Sequence, residues 1–407
     1  MINKKLKVGN VPNLRFPGFT EEWKVNELNA LGEFLGGGTP SSSNEDFWRG
    51  SIPWVSSSDL SEGDINSVNI SRFITEDAIS NSATKLCSAP VILIVSRVGV
   101  GKVAYSEKSL CTSQDFLNII NFKCNGIFLS YLLSTEMKKA ASAVQGTSIK
   151  GISSVEIKSK KLYVPQRNEQ TKIASFLSLI DERITTQNKI IKELNVLKTT
   201  ITKRIFSGQL RFKNADGDNY EDWKTKKLGD VTTLINKRNK NNEKLPVYSI
   251  NNKLGFVPQS EQFEGVDSED RGYDITLYKI IDKNTFAYNP ARINVGSIGY
   301  SGYLENIIIS SLYVCFKTEE FVNDNFLFQY LKTDFFNKEV LRNVEGGVRD
   351  YLFYENFARI KFDLPCVEEQ RKIADYLSSI DLKVDIENQF LNKLEEQKKF
   401  LLQQMFV

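Results

Sequence analysis

Pro165-Gln166-Arg167-Asn168-Glu169-Gln170-Thr171-Lys172-Ile173-Ala174-Ser175-Phe176-Leu177-Ser178-Leu179-Ile180-Asp181 is answered, 200 positions further on, by Pro365-Cys366-Val367-Glu368-Glu369-Gln370-Arg371-Lys372-Ile373-Ala374-Asp375-Tyr376-Leu377-Ser378-Ser379-Ile380-Asp381. Ten of the seventeen positions are identical, namely Pro165, Glu169, Gln170, Lys172, Ile173, Ala174, Leu177, Ser178, Ile180 and Asp181 with their counterparts. Agreement of this density marks an internal duplication, and a repeat settles architecture before any local feature does. The same offset pairs Trp23, Lys24 and Leu28 with Trp223, Lys224 and Leu228, and Gly146 with Gly346; Leu14-Arg15-Phe16 is answered by Leu210-Arg211-Phe212 at a slightly different offset. The period is far longer than that of a solenoid, so each copy has room for its own core. Between the matching borders, residues 30–145 and 230–345 share little beyond general character. Two like frames carry two unlike inserts.

From Glu169 onward the apolar positions become helical. Ile173, Leu177, Ile180, Ile184, Ile191, Leu194, Ile201 and Ile205 fall on alternating steps of three and four, with Gln187 and Lys198 as polar interruptions. The second copy gives Ile373, Leu377, Ile380, Val384, Leu391, Leu394, Leu401 and Met405, interrupted by Glu387 and Lys398 at the same places. This is a heptad seam. Neither segment holds proline or glycine before Gly208, and each predicts a rod about 55 to 60 Å long at ~1.5 Å per residue. A rod of this length must bury its seam, and the other copy is the nearest partner. Spacing alone permits either orientation, and a pseudo-twofold arrangement makes the pair antiparallel. The alternative is that each helix packs on its own domain. The expected organisation is mixed α+β: a domain over 1–165, a central spacer helix over 166–208, a second domain over 209–365 and a C-terminal spacer helix over 366–407.

Composition narrows the chemistry. A chain of 407 residues with 41% hydrophobic content is ample for two to three cored domains. Its 53 basic and 50 acidic side chains leave a net charge of only +3, so any basic patch must be local. The absence of histidine removes Ser-His-Asp and Cys-His catalysis and imidazole metal ligation. Cys87, Cys111, Cys124, Cys315 and Cys366 form no C-x-x-C pair, which argues against a zinc knuckle or a disulfide framework and fits a reducing cytoplasm. No apolar stretch reaches the ~18 residues of a membrane span, and the polar Met1 to Asn10 region is unlike a signal peptide.

Several insert segments offer groups suited to a polyanion or to base edges. Gly36-Gly37-Gly38-Thr39-Pro40 reads as a flexible turn, followed by a strand-like Ser51 to Val55 and the polar run Ser56, Ser57, Ser58 and Asp59. Short hydroxyls and a carboxylate can meet bases or phosphates, and the same run reads equally as a solvated loop with an Asp helix cap. The buried-strand pattern Val91 to Val95 leads into Ser96-Arg97-Val98-Gly99-Val100-Gly101-Lys102-Val103, which lacks the first glycine and the final hydroxyl of a phosphate loop. Arg97 and Lys102 remain as contact candidates. In the second insert, Arg292 and Asn294 precede Gly296 and Gly299, a setting that brings arginine close to a backbone or onto guanine. Gly146-Thr147-Ser148-Ile149-Lys150 and Gly346-Gly347-Val348-Arg349-Asp350 occupy matched positions and add Thr147, Ser148, Lys150 and Arg349; an ordinary turn explains them as well. Lys237 and Arg238 belong to a local basic run, a pattern that is also ordinary solvated surface. Glu156-Ile157-Lys158 resembles the end of a metal-dependent nuclease site, yet no Pro-Asp precedes it and its counterparts are Asn356 and Ala358. Asn289-Pro290-Ala291-Arg292 breaks the Asn-Pro-Pro-aromatic run of an adenine methyltransferase. No catalytic constellation and no metal site emerge.

The frame resembles the DNA specificity subunits of type I restriction-modification systems. The resemblance covers nearly the whole chain and is carried by Trp23-Lys24 and Trp223-Lys224, by the Pro-x-x-x-Glu-Gln-x-Lys-Ile-Ala stretch present twice, and by the domain-helix-domain-helix order. It implies two globular target recognition domains in pseudo-twofold arrangement, each reading one half of a split, asymmetric sequence in double-stranded DNA. It implies long helices that form an antiparallel coiled coil, set the unread gap and dock two modification (methyltransferase) subunits. Adenine methylation with S-adenosylmethionine and cleavage with ATP and Mg2+ then belong to the modification subunits and to restriction (translocase/nuclease) subunits, with no cofactor in this chain. Near-neutral charge departs from a strong DNA binder and fits partners that supply much of the phosphate grip. Two other readings stay open: a two-domain scaffold that organises protein partners without touching DNA, and a fragment of a self-contained nuclease-methyltransferase.

Overall fold

The computed structural model describes residues 10–144, 151–262, 272, 274–344 and 351–407. In chain order the first half forms β1 (Lys24–Glu27), β2 (Glu33–Gly36), β3 (Ile52–Val55), β4 (Arg72–Ile74), α1 (Glu76–Ser80), β5 (Val91–Val95), β6 (Val103–Ser106), β7 (Cys111–Thr112), β8 (Phe116–Ile120), α2 (Gly126–Val144), α3 (Ser154–Lys158), β9 (Lys161–Val164) and α4 (Arg167–Phe206). The second half forms β10 (Lys224–Lys227), β11 (Thr232–Ile235), β12 (Val247–Asn251), β13 (Gly255–Pro258), α5 (Gln259–Gln262), β14 (Lys279–Ile281), β15 (Phe286–Tyr288), β16 (Ile298–Tyr300), β17 (Ile307–Ile309), β18 (Val314–Thr318), α6 (Asp324–Tyr330), α7 (Asp334–Asn343), α8 (Tyr354–Phe357), β19 (Lys361–Leu364) and α9 (Val367–Gln404). The fold is mixed α and β. One compact unit comprises Met1–Lys189 with Gln389–Val407, the other Ile190–Asn388, so each long helix gives one part to each unit.

The unlike inserts share one core topology, to which the second adds β14 at the edge of its smaller sheet. In the first unit an antiparallel sheet has the order β2-β8-β5-β6, and a smaller one the order β4-β3-β7 with β3 and β7 parallel. In the second unit the orders are β11-β18-β15-β16 and β13-β12-β17-β14, with β12 and β17 again parallel. The central β5 is buried at every residue, as its unbroken apolar run requires of a strand covered on both faces. Backbone pairing and a pattern of buried positions suffice to specify such a sheet, so identity need not survive.

The frame residues explain why they recur. β1 pairs antiparallel with β9 from Lys24 against Val164, and β10 with β19 from Lys224 against Leu364. Arg15 grips Glu169 through Nε and Nη2, both at 2.7 Å, and Arg211 grips Glu369 in the same two-pronged way at 2.8 Å. Trp23 Nε1 donates to Glu169 at 3.4 Å, and Trp223 Nε1 to Glu369 at 2.9 Å. The hydrogen bond to its glutamate, opposed by desolvation, holds each arginine above its ordinary pKa. Gln170 Oε1 accepts Asn125 N at 2.7 Å while its Nε2 donates to Pro165 O at 2.8 Å; Gln370 does the same with Asn323 N at 2.7 Å and Pro365 O at 2.9 Å. Asn125 and Asn323 in turn cap α2 and α6 by accepting Phe128 N and Phe326 N. The buried Glu-Gln pair is therefore a polar hinge pin joining the chain entry, the domain helix and the long helix within each unit.

The long helices pack antiparallel in both units. In the first, Ile173, Ala174 and Leu177 of α4 share a core with Leu401 and Met405 of α9, Trp23 and Phe128, and Arg183 lies over the Phe390 ring at 5.5 Å. In the second, Ile201 and Ile205 of α4 join Ile373, Ala374 and Leu377 of α9. Ile180, Ile184, Ile191, Leu194, Val384 and Leu391 are half-buried or better along the seam, and Ile380 and Leu394 are buried. Leu14 N donates to Gln404 O at 2.8 Å, matching Leu210 N on Arg204 O at 3.0 Å, so the start of the first domain meets the end of α9 as the second domain meets the end of α4.

Candidate nucleic-acid interface

Strand order gathers the candidate residues at one end of each larger sheet. β2 and β5 both run antiparallel to β8 and leave the sheet at the same end, as do β11 and β15 against β18. The β5–β6 loop carries Arg97 and Lys102, and the β15–β16 loop carries Arg292 and Asn294. The two similar glycine-bearing elements are thus the same loop, between the third and fourth strands of each larger sheet. Arg97 and Arg292 are exposed and, among the described residues, have no ion pair or hydrogen bond through the side chain; Asn294 is half-exposed. Left-handed glycines shape both turns, Gly101 at φ 105° and Gly296 at φ 87°, conformations that a side chain resists. Lys237 leaves β11 at the same sheet end and pairs with Asp282 at 3.1 Å; Arg238 bridges to Lys279 and is exposed.

Neighbouring loops buttress these turns. Ile152 N donates to Ser96 O at 2.8 Å and, 200 positions on, Leu352 N donates to Pro290 O at 3.1 Å. Thr147, Ser148, Lys150 and Arg349 lie outside the described residues, but the segments that follow them dock, through Ile152 and Leu352, on the two arginine-bearing loops. Lys102 Nζ donates to Ser57 O at 2.9 Å, tying the β3 exit to the same rim.

The Ser56 to Asp59 run serves as the cap that its composition also suggested. Asp59 accepts Ser56 N at 2.7 Å and Ser56 Oγ at 2.9 Å, and its carboxylate is paired with Arg72. Arg72 also lies over the Trp54 ring at 4.6 Å, and Ser56 Oγ and Ser58 Oγ meet at 2.8 Å. Of this run, Ser58 alone is exposed. The glycines before it are not a flexible turn. Gly38 N donates to Thr112 O at 2.8 Å, Trp54 Nε1 donates to Gly38 O, and a Cβ on Gly37 would lie 2.0 Å from Ser113 O, so close backbone approach is the reason for glycine there.

Glu156 is exposed on the short α3, and among the described residues no group of three or more acidic or cysteine side chains is placed to hold a metal ion. Burial pushes the thiols up, Cys87 and Cys124 to about 11 and Cys111 and Cys315 to about 12. Among the described residues no helix is long and apolar enough to cross a membrane. Sequence reasoning missed the Arg15–Glu169 and Arg211–Glu369 grips, the Gln170 and Gln370 bridges and the partners of Asp181 and Asp381; their recurrence was the available signal.

Duplicated units of common topology and different sequence, each presenting a basic turn at one sheet end and built around a shared helix pair, define a tandem recognition protein. The chain belongs to the type I restriction modification DNA specificity domain family, whose model matches it twice, over residues 20–196 and 220–396. It is 27% identical over 379 residues to the MjaIX type I restriction enzyme specificity subunit of Methanocaldococcus jannaschii, across 86% of this chain and 82% of that protein. It is 34% identical over 170 residues to a type I restriction enzyme specificity subunit of Escherichia coli, across 39% of this chain and 41% of that one. The crystal structure of the type I restriction-modification S subunit from M. genitalium superposes with a TM-score of 0.60 at 16% identity, covering 98% of this chain and 99% of that one, a likeness of fold.

Proposed function

We propose that the chain is the sequence-reading subunit of a type I restriction-modification complex in the cytoplasm, with no catalytic role of its own. Each unit reads one half of a split, asymmetric site in duplex DNA through the sheet end that carries Arg97 and Lys102 in the first unit and Arg292, Asn294, Lys237 and Arg238 in the second. The paired helices set the unread gap and dock two modification subunits; restriction subunits join the same assembly. Adenine methylation with S-adenosylmethionine, and cleavage with ATP and Mg2+, take place in those partners. The observation that carries this reading is the placement, on the same glycine-shaped loop of both units, of an exposed arginine with no side-chain partner among the described residues, although the inserts share little sequence. Arginine in such a position can fork onto guanine or grip a phosphate.

The test is to map methylated adenines in DNA modified by the assembled complex, with and without exchange of residues 30–145 for another family member's insert. One half-site should change and the other, with the gap, should persist. R97A and R292A should each weaken binding by about 1 to 3 kcal/mol and relax readout in one half-site only. A complex that keeps both half-sites after the exchange, or shows no salt-dependent shift of duplex DNA, contradicts the proposal.

A further inference from the structure

Asp181 and Asp381 close the duplicated stretch, and Lys198 and Lys398 fill matched polar positions of the two seams. In the first unit Lys398 Nζ pairs with Asp181 at 2.7 Å, and in the second Lys198 Nζ pairs with Asp381. Each pair joins the aspartate of one helix to the lysine of the other. Each aspartate also holds its own domain: Tyr131 Oη donates to Asp181 at 2.7 Å and Asn66 Nδ2 at 3.1 Å, while Gln329 Nε2 donates to Asp381 at 2.9 Å. Lys398 further donates to Gly63 O at 2.9 Å. The first pair is nearly buried, its side chains 8% and 12% exposed, and the second is half-buried.

We infer that Asp181–Lys398 and Lys198–Asp381 are positioning residues that select the antiparallel direction and the register of the helix pair, and that fasten each recognition domain to it. The apolar seam cannot make that choice. α4 and α9 are copies, so their leucines and isoleucines suit a parallel pairing as well as an antiparallel one. In a parallel, in-register pairing like positions meet, which sets Asp181 against Asp381 and Lys198 against Lys398. A one-heptad slip of the antiparallel pair carries each lysine about 10 Å from its aspartate at ~1.5 Å per residue. Either alternative leaves carboxylates without their cations at part-buried positions, which is the costly outcome for an ion pair of this kind. Polar seam positions weaken a coiled coil relative to apolar ones, and what they contribute is discrimination between states.

The inference rests on the specificity-subunit reading only for its biological readout. The double variant D181K/K198D reverses both charges of α4 and leaves α9 intact, so antiparallel packing brings like charges together in both units. The quadruple variant D181K/K198D/D381K/K398D restores opposite charges at both places. Full-length proteins are compared by thermal melting and, after assembly with their modification subunits, by mapping methylated adenines. The double variant should melt lower and methylate the wild-type sites about tenfold less. The quadruple variant should regain part of both, with the wild-type gap, because opposite charges return across the seam while the Tyr131, Asn66 and Gln329 bonds to the aspartates do not. A double variant that melts and methylates like the wild type, or a quadruple variant no better than the double, overturns the inference. A wild-type complex that modifies no split site sinks the specificity reading instead, and the melting comparison still decides the role of the pairs.

Discussion

Removing Arg211 while leaving Glu369 in place tests whether the polar pin at the root of each long helix is held by charge pairing. The Glu369 side chain is 0% exposed and receives two bonds from Arg211 at 2.8 Å and one from Trp223 at 2.9 Å. Arg211→Met leaves the carboxylate with the indole N–H as its remaining side-chain donor. Breaking a buried pair at one partner costs about 3 to 5 kcal/mol, and the partial exposure of the guanidinium places this case near ~3 kcal/mol. The double variant R211M/E369M removes the charge along with its partner and orphans mainly the Trp223 N–H, a loss of about 1 kcal/mol. The single variant is thus expected to be less stable than the double by roughly 2 kcal/mol, a difference of several degrees in Tm for a unit of this size. Because two compact units need not unfold together, the assay is hydrogen exchange read by mass spectrometry on β10, β19 and the first turns of α9, alongside calorimetry. A single variant as stable as the double would refute the pairing as the source of the effect.

Two further outcomes follow from burial. L194D/L394D should separate the helices and abolish assembly with partner subunits on size-exclusion chromatography; Leu394 is 7% exposed and Leu194 half-buried, so L394D alone should be the more damaging single change. At pH 8 a thiol raised to about 11 is ionised in only about one molecule in a thousand, so Cys87 and Cys124, and more so Cys111 and Cys315, should resist iodoacetamide in the native protein while the part-exposed Cys366 reacts. Rapid native labelling of Cys87, read by peptide mass spectrometry, would contradict its burial.

The duplication, the rods and their seam were legible because each is a local or periodic signal: heptads are written along one helix, and a repeat is visible without knowing what any residue touches. Contacts between distant segments were not. Glu169 and Arg15 are 154 positions apart, so nothing in their spacing reveals the grip, although the return of both residues near Glu369 and Arg211 hinted at it. The cap within the Ser56 to Asp59 run could be read from the run itself, but its pairing with Arg72, which arrives from β4, could not. Gly37 and Gly38 looked like freedom and proved to be clearance, since Gly37 admits the backbone of Ser113 and Thr112, and Gly38 that of Ala83 and Thr84. The common topology of the inserts was hidden for a further reason: hydrogen-bonded ladders are made by the backbone, and buried positions accept any apolar residue of fitting size.

That last point bears on how such a protein can change what it reads. The pins that hold a unit together involve Arg15, Trp23, Gln170 and Lys398 in the first unit and Arg211, Trp223, Gln370 and Lys198 in the second, none of which lies on the rim that carries Arg97 or Arg292. The insert meets the frame through an apolar core, Phe128 against Trp23 and Phe406 or Phe326 against Phe206 and Trp223, through the capped start of α2 or α6, and through Tyr131, Asn66 or Gln329 at the aspartates. Loops at the far end of the sheet can therefore be rewritten without disturbing the helix register, because the energy that sets the register is spent on groups they do not contact. An insert that kept its rim but lost the Tyr131 and Asn66 bonds to Asp181 would have the opposite defect, an intact reading surface on a domain no longer fastened at its root.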